Sequence, residues 1–351
     1  MCSDNAKAFL KALPKCEHHM HIEGSLEPTL LFKLAARNKI TLDPTNFPSV
    51  EACDERYKNF TSLDDFLYFY NEAMASLITE QDFEELVDAY IERSYADGTV
   101  HCEIFYDPQA HTGRGIASST VVNGLNKGLI KAQEKYGITS KLIACFVRHL
   151  SVDSALEMVE DVIQYVEKGQ VHGLGCDSTE KGNPPEKYAL VYQRARDLGV
   201  KNLTMHSGEE GPAQYVRTTV EQLGIKRIDH GVRSSDDPEV LKMLAKENAF
   251  LTLCPLSNVR LRVMSAVSES PIPKLMEAGV KFSINSDDPA YFGGYLLDNY
   301  VAVQDAFNFP KQTWRQIIVD GAENSWCGQE RKQEIISQLD KVMHQWEGKD
   351  I

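Results

Sequence analysis

Glu17-His18-His19-Met20-His21-Ile22-Glu23-Gly24 is the stretch on which the reading of this chain turns. Successive side chains of a β-strand point to opposite faces, so His19 and His21 project to one side and His18 to the other. The lead-in ending at Leu13-Pro14 and the closing Gly24 fit a short strand that runs into a loop. Two neutral imidazoles converging from one strand end supply half of a tetrahedral zinc site. A His-x-His pair also arises by chance, so its meaning depends on what the rest of the chain brings beside it.

Outward from that strand, short β-type runs alternate with longer amphipathic stretches nearly to the end. Candidate strands are Cys16–His21, Val100–Asp107, Lys141–His149, Val171–Asp177, Asn202–Glu209, Arg227–His230, Phe250–Pro255 and Lys281–Asp287. Helical patterns fill the gaps at Ser118–Tyr136, Ser154–Lys168, Glu186–Leu198, Ala213–Leu223, Pro238–Glu247 and Pro273–Ala278, several of them ending in glycine. Eight strands separated by helices predict an α/β fold of the (β/α)8 TIM-barrel class. An open doubly wound sheet is the runner-up, but no Gly-x-Gly-x-x-Gly follows the first strand.

The first crossover is abnormally long. About 75 residues separate Gly24 from the second strand, with helical patterns at Glu27–Arg37, Leu63–Leu77 and Glu80–Ala96. An insertion there (25–99) sits at the C-terminal mouth of the barrel, where it is either a lid over a pocket or a packing excursion; the lid reading is preferred. The tail after Glu323 reads as helices closing the outer ring. With no repeat, low-complexity segment or linker, residues 1–351 are expected to form one domain.

Composition narrows the function classes. The chain has 351 residues, 42% hydrophobic and 25% charged, as expected of a globular protein with ample core. A net charge of −14 argues against a nucleic-acid surface, and no apolar run reaches the roughly 20 residues that span a bilayer. The N-terminus lacks the pattern of a secretory signal, and the eight cysteines show no Cys-x-x-Cys spacing. They read as reduced cysteines of an intracellular, cytoplasmic protein, with nuclear entry left open. Nothing in the sequence bears on oligomeric state.

A barrel's active site lies at the C-terminal ends of its strands. His206-Ser207-Gly208-Glu209-Glu210-Gly211 ends the fifth candidate strand, Asp229-His230-Gly231 the sixth and Asn285-Ser286-Asp287-Asp288-Pro289 the eighth. A zinc ion held by three His and one Asp keeps a position for water and lowers its pKa to about 7. His206 is the natural third imidazole beside His19 and His21, and Asp287 the carboxylate. Glu209 is placed to transfer protons, His230 to hold or deprotonate the water, and Asp288 to accept a hydrogen bond from a substrate N–H.

Blander roles compete at several of these positions. Asp287-Asp288-Pro289 could be a helix cap, as the similar Ser235-Asp236-Asp237-Pro238 is read to be; the copy at Asp287 differs in ending an apolar strand. Glu210 reads as a solvated or supporting acid. His101, His111, His149, His172 and His344 lack partners in motif and read as structural or surface residues, His149 least securely. No Lys on the fourth strand could bridge two metals, which favours a single zinc per chain. The His-x-Glu…Pro-Cys-x-x-Cys signature of the cytidine deaminase fold, a Gly-x-Ser-x-Gly elbow and a Walker loop are all missing.

At this point the chain resembles the adenosine/adenine deaminase family nearly end to end. The resemblance rests on residues 14–24, His206-Ser207-Gly208-Glu209, Arg227-Ile228-Asp229-His230-Gly231, Cys254-Pro255-Leu256-Ser257-Asn258 and Ser283-Ile284-Asn285-Ser286-Asp287-Asp288-Pro289. It implies zinc on His19, His21, His206 and Asp287, Glu209 as proton donor to purine N1, His230 orienting the attacking water, and Asp288 meeting N7. Ser178 falls where adenosine deaminases carry a Gly whose backbone meets N3. Within the family the chain is most similar to the fungal-type adenine deaminases, through Tyr106-Asp107-Pro108-Gln109, Asp177-Ser178-Thr179-Glu180-Lys181, residues 209–214 and residues 288–295. Glu23 stands where adenosine deaminases have an Asp that meets the ribose, which implies less room for a sugar.

The expected reaction is hydrolysis of adenine, a small-molecule partner, to hypoxanthine and ammonia. Adenosine is the nearest alternative. N6-substituted purines or nucleotides follow, the latter needing a basic pocket for which Arg114, Arg148 and Arg233 are the candidates. A zinc-binding protein without turnover is the reading from a different class.

Overall fold

Each predicted hydrophobic run forms a strand, and all eight are parallel to their neighbours. In the computed structural model, which describes residues 2–351, they are β1 (Lys15–His21), β2 (Thr99–Tyr106), β3 (Thr139–Val147), β4 (Gly173–Asp177), β5 (Thr204–Ser207), β6 (Arg227–His230), β7 (Phe250–Leu253) and β8 (Lys281–Ile284). Pairing runs β1 to β4 and β5 to β8 in sequence order. The two four-stranded halves join through Leu174 N–H to Asn202 C=O at 3.0 Å, and through His21 N–H to Asp287 C=O at 2.9 Å and Asp287 N–H to His19 C=O at 3.1 Å. The curled sheet is thus closed into the expected barrel. Helices cover its outer face, which is why strands such as β1 and β2 are buried almost throughout.

Between β1 and β2 lie a 3₁₀ turn and four helices: after α1 (Asp4–Ala12) come α2 (Pro28–Asn38), α3 (Val50–Arg56), α4 (Leu63–Met74) and α5 (Glu80–Ala96). Helices α1 and α3 escaped the sequence reading because each is short. Ser3 and Ser49 nonetheless cap them, each accepting from the N–H three residues on. The predicted helix at 186–198 opens as a 3₁₀ turn (Pro185–Tyr188) before Ala189–Asp197, in keeping with Pro184-Pro185 at its start. Aromatic side chains of α4 pack on the segment after β8, Phe66 lying 4.7 Å from Phe292 and 5.2 Å from Tyr291 between ring centres.

The opposite end of the barrel holds a buried ion pair beside apolar packing, with Trp326 against Phe105, Ile143 and Cys145. Glu103 pairs with Arg227 and takes the Trp326 N–H, while the Arg227 guanidinium lies 3.9 Å over the Trp326 ring. Both members of the pair are buried, and His101 Nε2 lies 3.1 Å from Glu103. His18 points away from the barrel axis, as strand alternation requires, between the hydroxyls of Ser283 (3.0 Å) and Ser325 (2.8 Å). All eight cysteines are free and all but Cys2 are buried. Among the described residues no helix is long and apolar enough to cross a membrane.

Candidate active site

Three strand ends and the segment after β8 bring the site residues together at the C-terminal mouth. His19 and His21 leave β1 with ring centres 5.4 Å apart, and His206 ends β5 within 4.6 Å of His19 and 5.2 Å of His21. Several predicted strands stop short, so Glu209, Asp287 and Asp288 stand on loops rather than on strands. The backbone turns sharply there: Ser178, His230 and Asp287 have φ of +71°, +61° and +66°, a region non-glycine residues seldom occupy. Gly24 marks another tight point, since a Cβ on it would stand 1.9 Å from Asp288 Oδ1.

One ligand atom from each of His19, His21, His206 and Asp287 falls within a single small sphere, all mutual distances below 4.8 Å. Nε2 of His21 and His206 are 3.2 Å apart, and Asp287 Oδ1 lies 3.3 Å from His19 Nε2 and 3.5 Å from His21 Nε2. A tetrahedron with metal–ligand bonds of about 2.0–2.1 Å has edges of roughly 3.3–3.4 Å, so these separations suit one divalent ion. His19 Nε2 is buried and has no hydrogen-bond partner, as a ligand nitrogen would. The residues therefore form a candidate His₃Asp metal centre.

Electrostatics agree with that geometry. Burial drives the His21 imidazole down to about 4, keeping it neutral. Burial disfavours charge on Asp287 too, but the imidazoles of His19 and His230 outweigh it and hold the carboxylate well below its ordinary range. Glu209 moves the other way: burial, then the charge of Asp287, raises its carboxyl well above the usual value. His230 Nε2 sits 3.6 Å from both Glu209 Oε2 and Asp287 Oδ2, and burial keeps that imidazole neutral. One carboxyl held ionised among the imidazoles and one held protonated, each 3.6 Å from His230 Nε2, set a carboxylate suited to a cation beside an acid suited to proton transfer.

Several supporting residues escaped the sequence reading. Asp229, quoted only within its motif, accepts from Thr204 Oγ1 (2.7 Å) and Thr252 Oγ1 (3.0 Å) and lies 3.4 Å from His206 Nδ1. Thr252 in turn reaches His19 Nδ1 at 2.9 Å. Glu180 accepts the N–H groups of Gly208 (2.9 Å), Glu209 (2.8 Å) and Glu210 (3.0 Å), pinning the loop that carries Glu209. Glu17 grips Ser286 through its N–H (3.0 Å) and Oγ (2.5 Å), fixing the approach to Asp287. Strand alternation could have placed Glu17 and Thr252 inward; nothing local signalled Glu180 beyond its place at the end of β4.

A cavity of about 270 Å³ opens over the centre, lined by His21, His206, Glu209, His230, Asp287 and Asp288 on its floor and by Leu63, Phe66, Leu67 and Tyr70 of α4 on one side. Ser178 and His149 also line it, with His149 Nδ1 2.8 Å from Ser178 Oγ, so His149 belongs to the pocket rather than to plain surface. No Lys or Arg contributes to the lining. Arg148 is buried and donates to the His206 carbonyl, Arg114 is spent on Ala110, Leu77 and His111, and Arg233 faces Asp236. Glu210 pairs with Lys181 at 2.8 Å, outside the lining. Asp237, in the second Asp-Asp-Pro copy, caps its helix as expected, accepting from Glu239 N–H.

The adenosine deaminase family model matches residues 14–342. The chain belongs to the adenosine deaminase family. Among members of that family it is 48% identical to adenine deaminase of Candida albicans, over 97% of this chain and 96% of that protein. Adenine deaminase of Saccharomyces cerevisiae is 47% identical, with 95% and 97% covered. The crystal structure of adenine deaminase from Arthrobacter aurescens superposes with a TM-score of 0.90 at 41% identity, covering 95% of this chain and 99% of that one. The family assignment, the closed barrel and the candidate metal centre agree.

Proposed function

We propose that this chain is an adenine deaminase that hydrolyses adenine to hypoxanthine and ammonia, with one zinc ion held by His19, His21, His206 and Asp287. What carries the reading is the joint presence of a His₃Asp cluster at tetrahedral spacing and a buried, protonated carboxyl on Glu209 beside it. The near-full-length similarity to adenine deaminases selects the substrate. When bound, zinc acts as a Lewis acid that makes water a nucleophile near neutral pH.

In this reading Glu209 delivers its proton to purine N1 and so draws electron density away from C6. His230 orients the attacking water and takes its proton, and Asn258, 3.3 Å from His230 Nδ1, steadies that ring. Asp288, whose carboxyl is held protonated by burial and by the charge of Asp287, donates to N7, and the backbone at Ser178 meets N3. The water oxygen adds at C6, the proton taken by His230 passes to the amino nitrogen, and the C6–N bond breaks to release ammonia as the C6 hydroxyl gives its proton to Glu209, which leaves hypoxanthine and restores both residues. The helical insertion 25–99 serves as the lid of a one-domain enzyme: α4 supplies the apolar wall that keeps bulk water from the reacting carbon. A pocket without Lys or Arg disfavours nucleotides.

The test is an ultraviolet deamination assay across adenine, adenosine, AMP and N6-methyladenine, with metal analysis of the same sample. Adenine is expected to react fastest, with close to one zinc per chain. Faster turnover of adenosine would replace this reading with that of an adenosine deaminase, and a metal-loaded protein inert to all four would overturn it.

A further inference from the structure

The wall of the pocket facing away from Glu209 has an excess of unanswered acceptors. Asp107, just after β2, and Asp177, at the end of β4, both line the cavity and are only 6% and 4% exposed. Asp107 Oδ1 and both carboxylate oxygens of Asp177 accept from no N–H or hydroxyl among the described residues, although the two carboxyls face each other and share a proton. Asp288 Oδ1 and Glu23 Oε2 likewise accept from none. Their other oxygens explain the arrangement. His111 Nε2 holds Glu23 Oε1 at 2.8 Å, the Asp107 N–H reaches that same oxygen at 3.2 Å, and Tyr70 of α4 donates to Asp107 Oδ2 at 3.4 Å. Glu23 and Asp107 are each held through one oxygen, while Asp177, with His21 Nδ1 3.6 Å from its Oδ2, keeps both oxygens without a donor; Asp107, Asp177 and Asp288 line the cavity. Buried acceptors without donors are rare in folded proteins, and such a row points to a ligand that brings N–H groups.

The barrel order says which part of the ligand meets it. Glu209 and His230 stand at β5 and β6, whereas Asp107 and Asp177 stand at β2 and β4. A purine whose pyrimidine ring engages Glu209 presents its five-membered ring to the acidic wall. That ring carries an N–H in the free base and none in a 9-substituted nucleoside. We propose that Asp107 and Asp177 accept the imidazole-ring N–H of an unsubstituted purine and thereby select the free base over nucleosides. The inference rests on the adenine deaminase reading and adds to it the residues that enforce the choice. A site built to hydrogen-bond a substrate N–H can reject the analogue lacking it by about 10⁴–10⁵, whereas apolar crowding alone yields about 10–200-fold. The geometry thus makes discrimination electrostatic and not only steric.

The experiment compares hypoxanthine with 9-methylhypoxanthine as inhibitors, and adenine with 9-methyladenine as substrates, on the metal-loaded full chain. The wild type is expected to bind the 9-methyl compound at least 100-fold more weakly. Asp107→Leu, which removes the acceptor at similar volume, should weaken hypoxanthine 10- to 100-fold and shift 9-methylhypoxanthine less than 3-fold. Asp107→Asn keeps an acceptor oxygen and should recover most of the difference. Equal weakening of both compounds, an unchanged ratio, or a wild type indifferent to the methyl group would each overturn the proposal. So would a second bound ion per chain lost in Asp107→Leu, because His21, Asp107 and Asp177 also lie within 4.8 Å of one another and the free oxygens would then belong to a cation. Failure of the activity reading is separable: no adenine turnover together with intact discrimination between the two inhibitors would sink that reading alone.

Discussion

Asp229→Asn probes the candidate metal centre without replacing any of its four residues. The Asp229 carboxylate is fully buried beneath two of the three imidazoles, 3.4 Å from His206 Nδ1 and linked to His19 Nδ1 through the Thr252 hydroxyl, with contacts of 3.0 and 2.9 Å. As an acceptor it selects the tautomer that leaves Nε2 of each ring free for metal. An asparagine fills the same space but accepts on one side only. If its amide faces His206, donor meets donor; if it faces Thr252, the hydroxyl must turn and its link to His19 changes. Outer carboxylates of this type typically contribute 10- to 100-fold in metal affinity, which is about 1.4–2.7 kcal/mol. The backbone carbonyl of Cys176, 3.0 Å from His206 Nδ1, keeps one acceptor in place and prevents total loss. The assay is competition for zinc against a chromophoric chelator, with melting of the metal-free proteins measured alongside. The expected result is a 10- to 100-fold weaker zinc site, with the metal-free variant melting close to wild type. Zinc affinity within about twofold of wild type would refute the argument that this carboxylate sets the imidazoles.

Glu180→Gln should lower kcat about 10- to 100-fold with zinc content and KM nearly unchanged, because it loosens the loop holding Glu209 by three N–H bonds. In a Glu209→Gln background, itself expected to cost about 10²–10⁴ in kcat, the same change should add less than threefold; additive losses would show that Glu180 does not act through Glu209. Gly24→Ala drives a methyl to 1.9 Å from Asp288 Oδ1, so kcat/KM for adenine should fall by about 10² or more while zinc stays bound; normal kinetics would show that the loop yields freely. Lys15 is buried and burial lowers its amine to about 7, while Nζ donates to the carbonyls of Leu13 and Asp97. Between pH 7 and the ordinary lysine value the unfolded chain binds the extra proton, so this residue makes stability rise with pH, by at most about 1.4 kcal/mol per unit. Urea unfolding across that window should show the slope shrink in Lys15→Met, and an unchanged slope would contradict it.

The sequence carries the barrel in proportion to how local each signal is. Strand positions follow from apolar runs, and the length of the first crossover follows from the gap after Gly24; neither needs knowledge of distant contacts. The candidate metal set is legible because His19, His21, His206 and Asp287 stand at or just past strand ends, where the chemistry of the fold is concentrated. What stays hidden is reached only through closure. Glu17 acts on Ser286 across 269 positions, and Thr252 on His19 across 233. No period or spacing encodes those pairs; they exist because β8 returns beside β1.

The same reasoning explains why so many acids surround one small centre. Asp287 is the ligand carboxylate and Glu209 the proton carrier in our reading, but Glu17, Glu180 and Asp229 are not themselves part of the cavity lining. Each accepts from backbone N–H groups or hydroxyls beside a site residue, and each comes from a different strand or loop. A carboxylate with both oxygens engaged fixes a loop more tightly than one neutral contact, since hydrogen bonds to an ionised acceptor are about twice as strong. The cost of burying those charges is offset only while every oxygen is satisfied. On this ground Asp107 and Asp177 stand apart from Glu17, Glu180 and Asp229: the bracing acids are saturated by the protein, and the wall acids are not. The unsaturated oxygens are what the substrate is left to fill. Mutating a saturated acid should therefore change turnover or metal affinity for every purine alike, whereas mutating Asp107 should change the ranking among purines.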